Sequence, residues 1–390
     1  MDSHCALIQL YNQMVKIMRK NSLRYIICLS AMTALATACK DSFDIEQLHE
    51  PSKLSICCFP STADTTWIEV THSISISRGN APTSDLVTLN AHIIYKVNGE
   101  EREVHRVSDE RINKNPSIGA ARYYVVGPQK PGDHISIEAT EQGYQSVSAE
   151  TTIPQSVPIE VKSLKPTNIY SSEYADFVKF DQLTATFSDP AESADHYALR
   201  VTQMHIKGHA EGYADPIYDS WGELYYRIHY YANHYINMQE AMKMNPELEW
   251  EVKLNDSIFV YRKVFNDNEP LLNPLSEMDE DFGFESNYYQ YFYIFSDESI
   301  NGETYTLHLN LGSYYSVEEY DFWQQYRVEL YRITPEMYRY LKSINDVDNN
   351  ELAQSGFSTL MPTYSNVHNG IGVVGGFALS KSEWIPKNYY

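Results

Sequence analysis

The stretch VTLNAHIIYKVNGEEREVHRV, residues 87–107, decides the fold class. Apolar side chains occupy alternate positions in its first half, at Val87, Leu89, Ala91, Ile93 and Tyr95. A period of two residues is typical of a β-strand with one buried face. Asn98-Gly99 follows directly, and both residues tolerate positive φ. The pair therefore predicts a tight turn between two antiparallel strands.

Neighbouring segments repeat this pattern. WIEVTHSISIS, residues 67–77, alternates apolar and polar residues in the manner of a half-buried strand, with Ile68, Val70, Ile74 and Ile76 on one face. His72 lies on that apolar face, and we interpret it as a core or rim histidine rather than a ligand. ARYYVVG, HISIEA and SVSAETTIP are further short strand-like runs. Strands at this spacing predict an immunoglobulin-like β-sandwich over residues 53–155.

A second β pattern starts after Pro154 and Pro158, with VPIEVKSL, LTATFSDP and DHYALRV. An insertion over about 202–286 interrupts it, and we predict a helix in YINMQEAMKM and a hairpin in WEVKLNDSIFVYRKVF. The predicted fold class is thus mainly β. It consists of tandem immunoglobulin/fibronectin-like β-sandwich domains, the second over 156–390 with a long insertion and a short C-terminal helix.

That helix is predicted in RITPEMYRYLKSI, residues 332–344. Thr334 is placed to cap it, and Pro335 suits the first helical position. GIGVVGG, residues 370–376, resembles a dinucleotide loop only superficially, because it lacks the βαβ context that such a loop needs. We interpret its glycines as permitting a tight turn or close strand packing, with a loop followed by a final strand.

The N-terminal segment predicts that the protein is exported and attached to a membrane. Basic residues precede the short apolar run YIICLSAMTAL, then come small residues and Cys39, as in a secretory signal that is cleaved before a lipid-modified cysteine. We expect residues 1–38 to be the signal peptide, with Met18 the true start, and 39–52 to be a lipid tether. The alternative is an ordinary signal peptide with a chance cysteine. We expect the acylated Cys39 to hold the protein in the outer membrane, facing the cell exterior.

Composition excludes some function classes. The net charge of −22, without a basic patch, argues against nucleic-acid binding. Cys57 and Cys58 are adjacent, so they form neither a disulfide framework nor a zinc motif. The histidines at 205, 209, 229 and 234 lack a metalloprotease spacing, and no G-x-S-x-G is present. We expect no metal, no cofactor and no enzymatic activity, with a hydrolase that uses unrecognised carboxylates as a remaining alternative.

Tyrosine is the one compositional excess, with 32 residues. Aromatic residues fit the half-buried surface of strands, which accounts for most of them. A crowded group in the insertion is also a candidate recognition surface, because tyrosine combines contact area with a polar tip. Its members are Tyr225, Tyr226, Tyr230, Tyr231 and Tyr235.

Three motifs occur in order in the last third: FSDESINGETYTLHL, YRVELYRITPEMYRYLKSI and YSNVHNGIGVVGGFA. Together with CKDSFD at Cys39 and the TTIP segment, they resemble the Bacteroidota cell-surface lipoproteins of domain-of-unknown-function family 4249. The resemblance implies a surface lipoprotein often encoded beside a TonB-dependent outer-membrane transporter. We expect a non-catalytic binding or accessory partner of such a transporter, with an unknown ligand. The alternative is a free-standing glycan-binding or adhesive lipoprotein.

Overall fold

The structure is a computed structural model. It describes residues 51–73, 91–107, 121–171, 176–213, 217–218, 224–225, 230–231, 242–244, 246, 248–265, 269–272, 292–312, 321–349 and 363–387. Within these residues the protein is mainly β, as predicted. No helix in this part of the chain is long and apolar enough to cross a membrane.

The first sandwich is built from eight consecutive strands. They are Leu54–Cys58 (β1), Thr65–His72 (β2), His92–Val97 (β3), Glu100–Arg102 (β4), Val104–Arg106 (β5), Ala121–Val126 (β6), His134–Thr140 (β7) and Val147–Thr152 (β8). One sheet has the order β1-β2-β6-β5 and the other β4-β3-β7-β8. These are the A-B-E-D and C′-C-F-G orders of an immunoglobulin-like sandwich, which confirms the predicted fold class.

The alternation read from the sequence determines which side chains form the core of this sandwich. Ile68 and Val70 of β2, and Ile93 and Tyr95 of β3, point inward and are buried. Asn98 and Gly99 form the predicted turn with φ angles of 52° and 84°, so β3 and β4 pair as a hairpin. Ile74, Ile76, Val87 and Leu89 lie outside the described residues.

The second sandwich repeats this strand order with longer strands. They are Ile159–Ser171 (β9), Asp176–Ser188 (β10), His196–Tyr213 (β11), Ile217–Tyr218 (β12), Leu224–Tyr225 (β13), Tyr230–Tyr231 (β14), Glu249–Arg262 (β15), Val264–Phe265 (β16), Tyr293–Ser296 (β17), Thr304–Gly312 (β18), Asp321–Ile333 (β19), Ile371–Val374 (β20), Phe377–Lys381 (β21) and Ile385–Pro386 (β22). One sheet is β9-β10-β18-β16, and the other contains β15-β11-β19-β21. The large apolar core lies between the two sheets.

Strand β20 does not join the second sandwich, although it lies near the C-terminus. It pairs in parallel with β1 and extends the first sandwich by one strand. We call residues 366–377 the C-terminal clasp. Gly375 N–H donates to the Cys58 carbonyl at 3.1 Å, and Phe377 N–H donates to the Pro60 carbonyl at 3.0 Å. The two sandwiches are thereby joined by a strand as well as by the chain between β8 and β9.

The glycines of the clasp permit this close approach, as the sequence analysis predicted. A Cβ at Gly376 would lie 1.9 Å from the Thr152 carbonyl oxygen. A Cβ at Gly372, where φ is 108°, would lie 2.1 Å from the Ile56 carbonyl oxygen. Only glycine fits such positions without moving the backbone.

Helix α1, Pro335–Asn349, follows β19 where the sequence predicted it. The Tyr338 N–H donates to the Thr334 carbonyl at 2.9 Å. The prediction that the Thr334 side chain caps the helix is wrong. Its hydroxyl is buried and has no hydrogen-bond partner among the described residues. The backbone of Thr334 instead binds the C-terminal clasp, because its N–H donates to the Gly376 carbonyl.

The insertion differs from its prediction. Its predicted start at Thr202 falls inside β11, which continues to Tyr213. The predicted hairpin at 250–265 is wrong, because β15 is one strand that pairs along β11 up to Arg262. Asn255 lies at a β-bulge within this strand, since Lys207 pairs with Asp256 and Gly208 with Leu254. Of the predicted helix, the structure describes helical residues 242–244.

Candidate recognition surface

The outer face of the second sandwich is only partly covered. Helix α1 packs over one end of it, where Met337 and Tyr338 meet Ala198, Tyr331 and Ile333. Further along β11 and β19 the helix no longer covers the sheet. We call this remaining part the arginine face. Its members are Arg200, Thr202 and Met204 of β11, Phe259 and Tyr261 of β15, Arg327 and Glu329 of β19, and Trp384.

A buried carboxylate organises this face. Arg200 and Glu329 are direct partners across β11 and β19. Arg200 donates from Nε and Nη2 to one Glu329 oxygen at 3.2 and 2.9 Å. Arg327 donates to the other oxygen at 2.9 Å. The Tyr331 hydroxyl donates to Glu329 at 3.0 Å. One carboxylate therefore fixes two guanidinium groups, which makes their geometry rigid.

Aromatic rings lie against both guanidinium groups. The Cζ atom of Arg200 is 3.7 Å from the centre of the Tyr261 ring. The Cζ atom of Arg327 is 4.5 Å from the ring of Trp384, and the rings of Trp384 and Phe259 are 6.0 Å apart. Phe259 is 56% exposed and Tyr261 49% exposed. The face thus presents large rings to solvent above a fixed layer of charge.

The electrostatics of the face favour binding over proton transfer. Burial raises the pKa of Glu329, but the hydrogen bond and charge of Arg200 outweigh it, with help from Tyr331 and Arg327, so the pKa lies below its ordinary value. Burial raises the pKa of Tyr331 far above its ordinary value. Glu329 is therefore ionised and Tyr331 neutral at physiological pH. Neither of these two groups is poised to exchange a proton near neutral pH.

A second constellation lies beside the start of β11. The carboxylates of Asp189, Asp195 and Asp297 are buried, and one oxygen from each lies within 4.8 Å of the others. Oxygen-only sets of this kind suit Ca²⁺ or Mg²⁺. Hydrogen-bond donors already occupy these carboxylates, however. Asp189 accepts from the Tyr197 hydroxyl and Gly302 N–H, Asp195 from Arg332 and Ser193, and Asp297 from the Asp195 N–H. The cluster ties the β10–β11 loop to the β17–β18 loop at this end of the sandwich.

The residues that the sequence analysis selected are described only in part. Cys39, Tyr226 and Tyr235 lie outside the described residues. Tyr225 ends β13, which pairs with β12. Tyr230 and Tyr231 form β14, which pairs with the far end of β11 beyond β19. Tyr230 and Tyr231 therefore continue the same sheet as the arginine face, whereas Tyr225 lies in a separate two-stranded sheet. The role of these tyrosines in recognition stays a prediction.

The sequence analysis missed the residues of the arginine face. The segments DHYALRV and YRVELYRI were correctly predicted as strands. Arg200 and Glu329 stand at outward positions within them, where alternation predicts solvent-exposed charge. A pairing between residues 129 positions apart leaves no trace in a local pattern.

These features define the protein class as a tandem immunoglobulin-like β-sandwich protein. The family model described as "Domain of unknown function (DUF4249)" matches residues 40–383, and the chain belongs to this family. The comparison with curated proteins found no match.

Two solved structures show weak similarity to the chain. The Streptococcus agalactiae AgI/II polypeptide BspA C-terminal domain is 9% identical, with a TM-score of 0.13, covering 72% of this chain and 95% of that one. A chain titled BspA_C_mut is 8% identical, with a TM-score of 0.14, covering 87% and 99%. Similarity at this level carries no argument about fold or function.

Proposed function

We propose that the protein is a lipid-anchored accessory protein of a TonB-dependent outer-membrane transporter, and that the arginine face is its contact surface. The observation that carries the proposal is a part of the sheet face beyond helix α1, where one buried carboxylate holds two guanidinium groups beside exposed rings. The transporter is the partner class that the family resemblance implies. Cargo capture or uptake follows from that partnership.

The composition of the face supports a binding role. Trp, Tyr and Arg are the residue types that most often dominate the free energy of protein interfaces. Here Glu329 fixes Arg200 and Arg327 in place, so little side-chain entropy remains to be lost on association. The rings of Phe259 and Tyr261 supply apolar area around this fixed charge.

A pull-down from detergent-solubilised membranes tests the transporter contact. The full chain should recover a large β-barrel protein, and the double variant Phe259→Ala/Tyr261→Ala should recover at least about tenfold less. The matched control is Tyr170→Ala/Phe177→Ala, which removes two rings that are equally exposed on β9 and β10. Equal recovery by both double variants would contradict the assignment of the face, and no barrel with the unaltered chain would contradict the partnership.

The lipid anchor is tested separately. Cys39→Ser removes the thiol that is acylated under this proposal. The variant should lose incorporation of labelled palmitate and should move from the membrane fraction to the soluble fraction. Unlabelled wild-type protein that is washed free of membranes would contradict the anchor, whatever the outcome of the pull-down.

A second candidate function is a free-standing glycan-binding or adhesive lipoprotein. It is favoured by large exposed rings on both sandwiches, Trp67 on the first and Phe259 on the second, because the apolar C–H faces of sugars pack on aromatic rings. Binding on a glycan array, with no barrel in the pull-down, would favour this function over the first.

A further inference from the structure

The first sandwich carries its own row of exposed rings, separate from the arginine face. Trp67 of β2 lies directly opposite Tyr124 of β6, and Tyr124 lies directly opposite His105 of β5. We call these three residues the aromatic row. The ring centres of Trp67 and Tyr124 are 5.5 Å apart, and those of Tyr124 and His105 are 5.2 Å apart.

This row faces solvent on the outer side of the sheet. Trp67 is 54% exposed, and Val126 beside it is 58% exposed. Tyr124 and His105 are partly exposed. Neighbouring inward residues, such as Ile68 and Val125, fill the core. The sandwich therefore already has its apolar core, and Trp67 contributes little to it.

The rings are flanked by polar groups that can reach a ligand lying on them. On the next register position of the same strands, Glu69 and Arg122 form an ion pair of 2.9 Å, and both side chains are about 40% exposed. Glu103 lies 3.8 Å from Nδ1 of His105 and is largely exposed. Carboxylates accept from hydroxyl groups and guanidinium groups donate to them. Flat rings thus stand beside both kinds of hydrogen-bonding partner.

The charges restrict the ligand class. Glu69 and Arg122 cancel, which leaves the carboxylate of Glu103 beside His105. The chain as a whole carries −22, so it repels polyanions over long range. An acidic polysaccharide is therefore disfavoured at this surface. The shallow row, with charged groups on its margin, also differs from the desolvated apolar centre of a protein interface.

We propose that the aromatic row binds a neutral β-linked oligosaccharide. The sugar units of a β-linked glucan have equatorial hydroxyl groups and present C–H bonds on both ring faces. Because the planes of Trp67 and Tyr124 are inclined at 51°, two successive units of a twisted chain can each pack on one of these rings. Their hydroxyl groups then reach Glu69, Arg122 and Glu103 at the margin. The row is long enough for adjacent sugar units, because its rings follow one another across three strands. This inference deepens the second candidate function, to which it assigns a site and a sugar class. It does not depend on the transporter partnership, which uses the second sandwich.

The test is a titration of the full chain in detergent with cellohexaose, a soluble neutral β-linked glucan fragment. We expect saturable binding that is weakened at least about tenfold by Trp67→Ala and partly restored by Trp67→Phe. Val126→Ala, an equally exposed apolar change beside the row, should leave the affinity unchanged. An oligogalacturonate of the same length should bind much more weakly.

Several outcomes would overturn the proposal. They are absence of binding to cellohexaose, equal affinity of the Trp67→Ala variant, and loss of binding in Phe259→Ala/Tyr261→Ala but not in Trp67→Ala, which would move the sugar to the arginine face. Thermal unfolding of each variant, unchanged from the parent, shows that a lost affinity is not lost folding. Reduced barrel recovery by Trp67→Ala without sugar binding would identify the row as a protein contact instead.

Discussion

The two sandwiches have the same strand order but place their charges differently. In the first, the ion pairs Glu69–Arg122 and His134–Glu150 lie on the surface. In the second, Asp195–Arg332 and Glu329–Arg200 are largely removed from water. Exposed pairs contribute little to stability, whereas a buried charge that loses its partner is strongly destabilising. The same strand order is therefore compatible with ion pairs that lie on the surface, as in the first sandwich, and with ion pairs that are buried, as in the second.

The two sandwiches also differ in how they are completed. The second supplies all the strands of its own sheets, and β11 and β15 extend past the length of the first sandwich's strands. The first takes β20 from the far end of the chain. Long strands leave sheet area that helix α1 does not cover, and the arginine face occupies that area. The short strands of the first sandwich instead leave an edge that the clasp occupies.

The largest expected effect comes from breaking the clasp. Gly376→Val places side-chain atoms on the Thr152 carbonyl, so the clasp must move away from β8. We expect a loss of about 4 kcal/mol in the free energy of unfolding, measured by urea denaturation. Gly312→Val is the control, because its Cβ would meet nothing within 4 Å. A small effect of Gly376→Val would mean that the first sandwich is stable without β20.

Removing a buried partner in the second sandwich should have the next largest effect. Asp195→Ala leaves Arg332 without the carboxylate that lies 2.5 Å from its Nη2. We expect a loss of about 3 kcal/mol in the same measurement. The neighbouring exposed Glu192→Ala serves as the control and should be close to neutral. Equal stabilities of the two variants would show that charge burial does not distinguish the sandwiches.

Glu329→Gln tests the charge of the arginine face through pH. Its folded pKa lies below the ordinary value of 4.5. The ion pairs therefore contribute fully above about pH 4.5, and the contribution is lost as pH falls from there through the folded pKa. We expect the variant to be about 2 kcal/mol less stable at neutral pH, with the difference shrinking below pH 4.5. Parallel stability curves down to pH 3 would contradict this account.

The smallest effect is expected on the surface of the first sandwich. Arg122→Ala removes an exposed pair with Glu69 and should change the free energy of unfolding by less than about 1 kcal/mol. Adding salt should have little effect on the variant's stability. A loss as large as that of Asp195→Ala would erase the contrast between the two sandwiches.

The sequence predicted those parts of the fold that local patterns encode. Alternation located β2 and β3, Asn98-Gly99 located a hairpin turn, and the apolar face after Thr334 located helix α1. The hairpin predicted in WEVKLNDSIFVYRKVF was wrong, because the residue types of a turn also suit a bulge in a continuous strand. The prediction that the Thr334 side chain caps helix α1 was wrong, because its hydroxyl is buried and makes no hydrogen bond among the described residues.

Long-range pairings could not be predicted in the same way. Nothing near Ile371 indicates that it lies beside Ser55 rather than within the second sandwich. The pairing of Arg200 with Glu329 similarly depends on the register of β11 with β19. The tyrosines of the insertion are recognisable in the sequence because they are numerous. The arginine face depends on Arg200 and Glu329, whose positions in regular strands do not distinguish them from other exposed charged residues.

The parallel pairing of β20 with β1 also sets an order of events during biogenesis. Residues 54–58 emerge early in synthesis, but their neighbours at 371–374 are made much later. The domain that is translated first is therefore completed only after most of the second domain has been made. Until the C-terminus arrives, the edge of β1 is an open template for pairing with other chains. Chaperones that shield strand edges are consequently expected to be needed until residues 371–374 have been made.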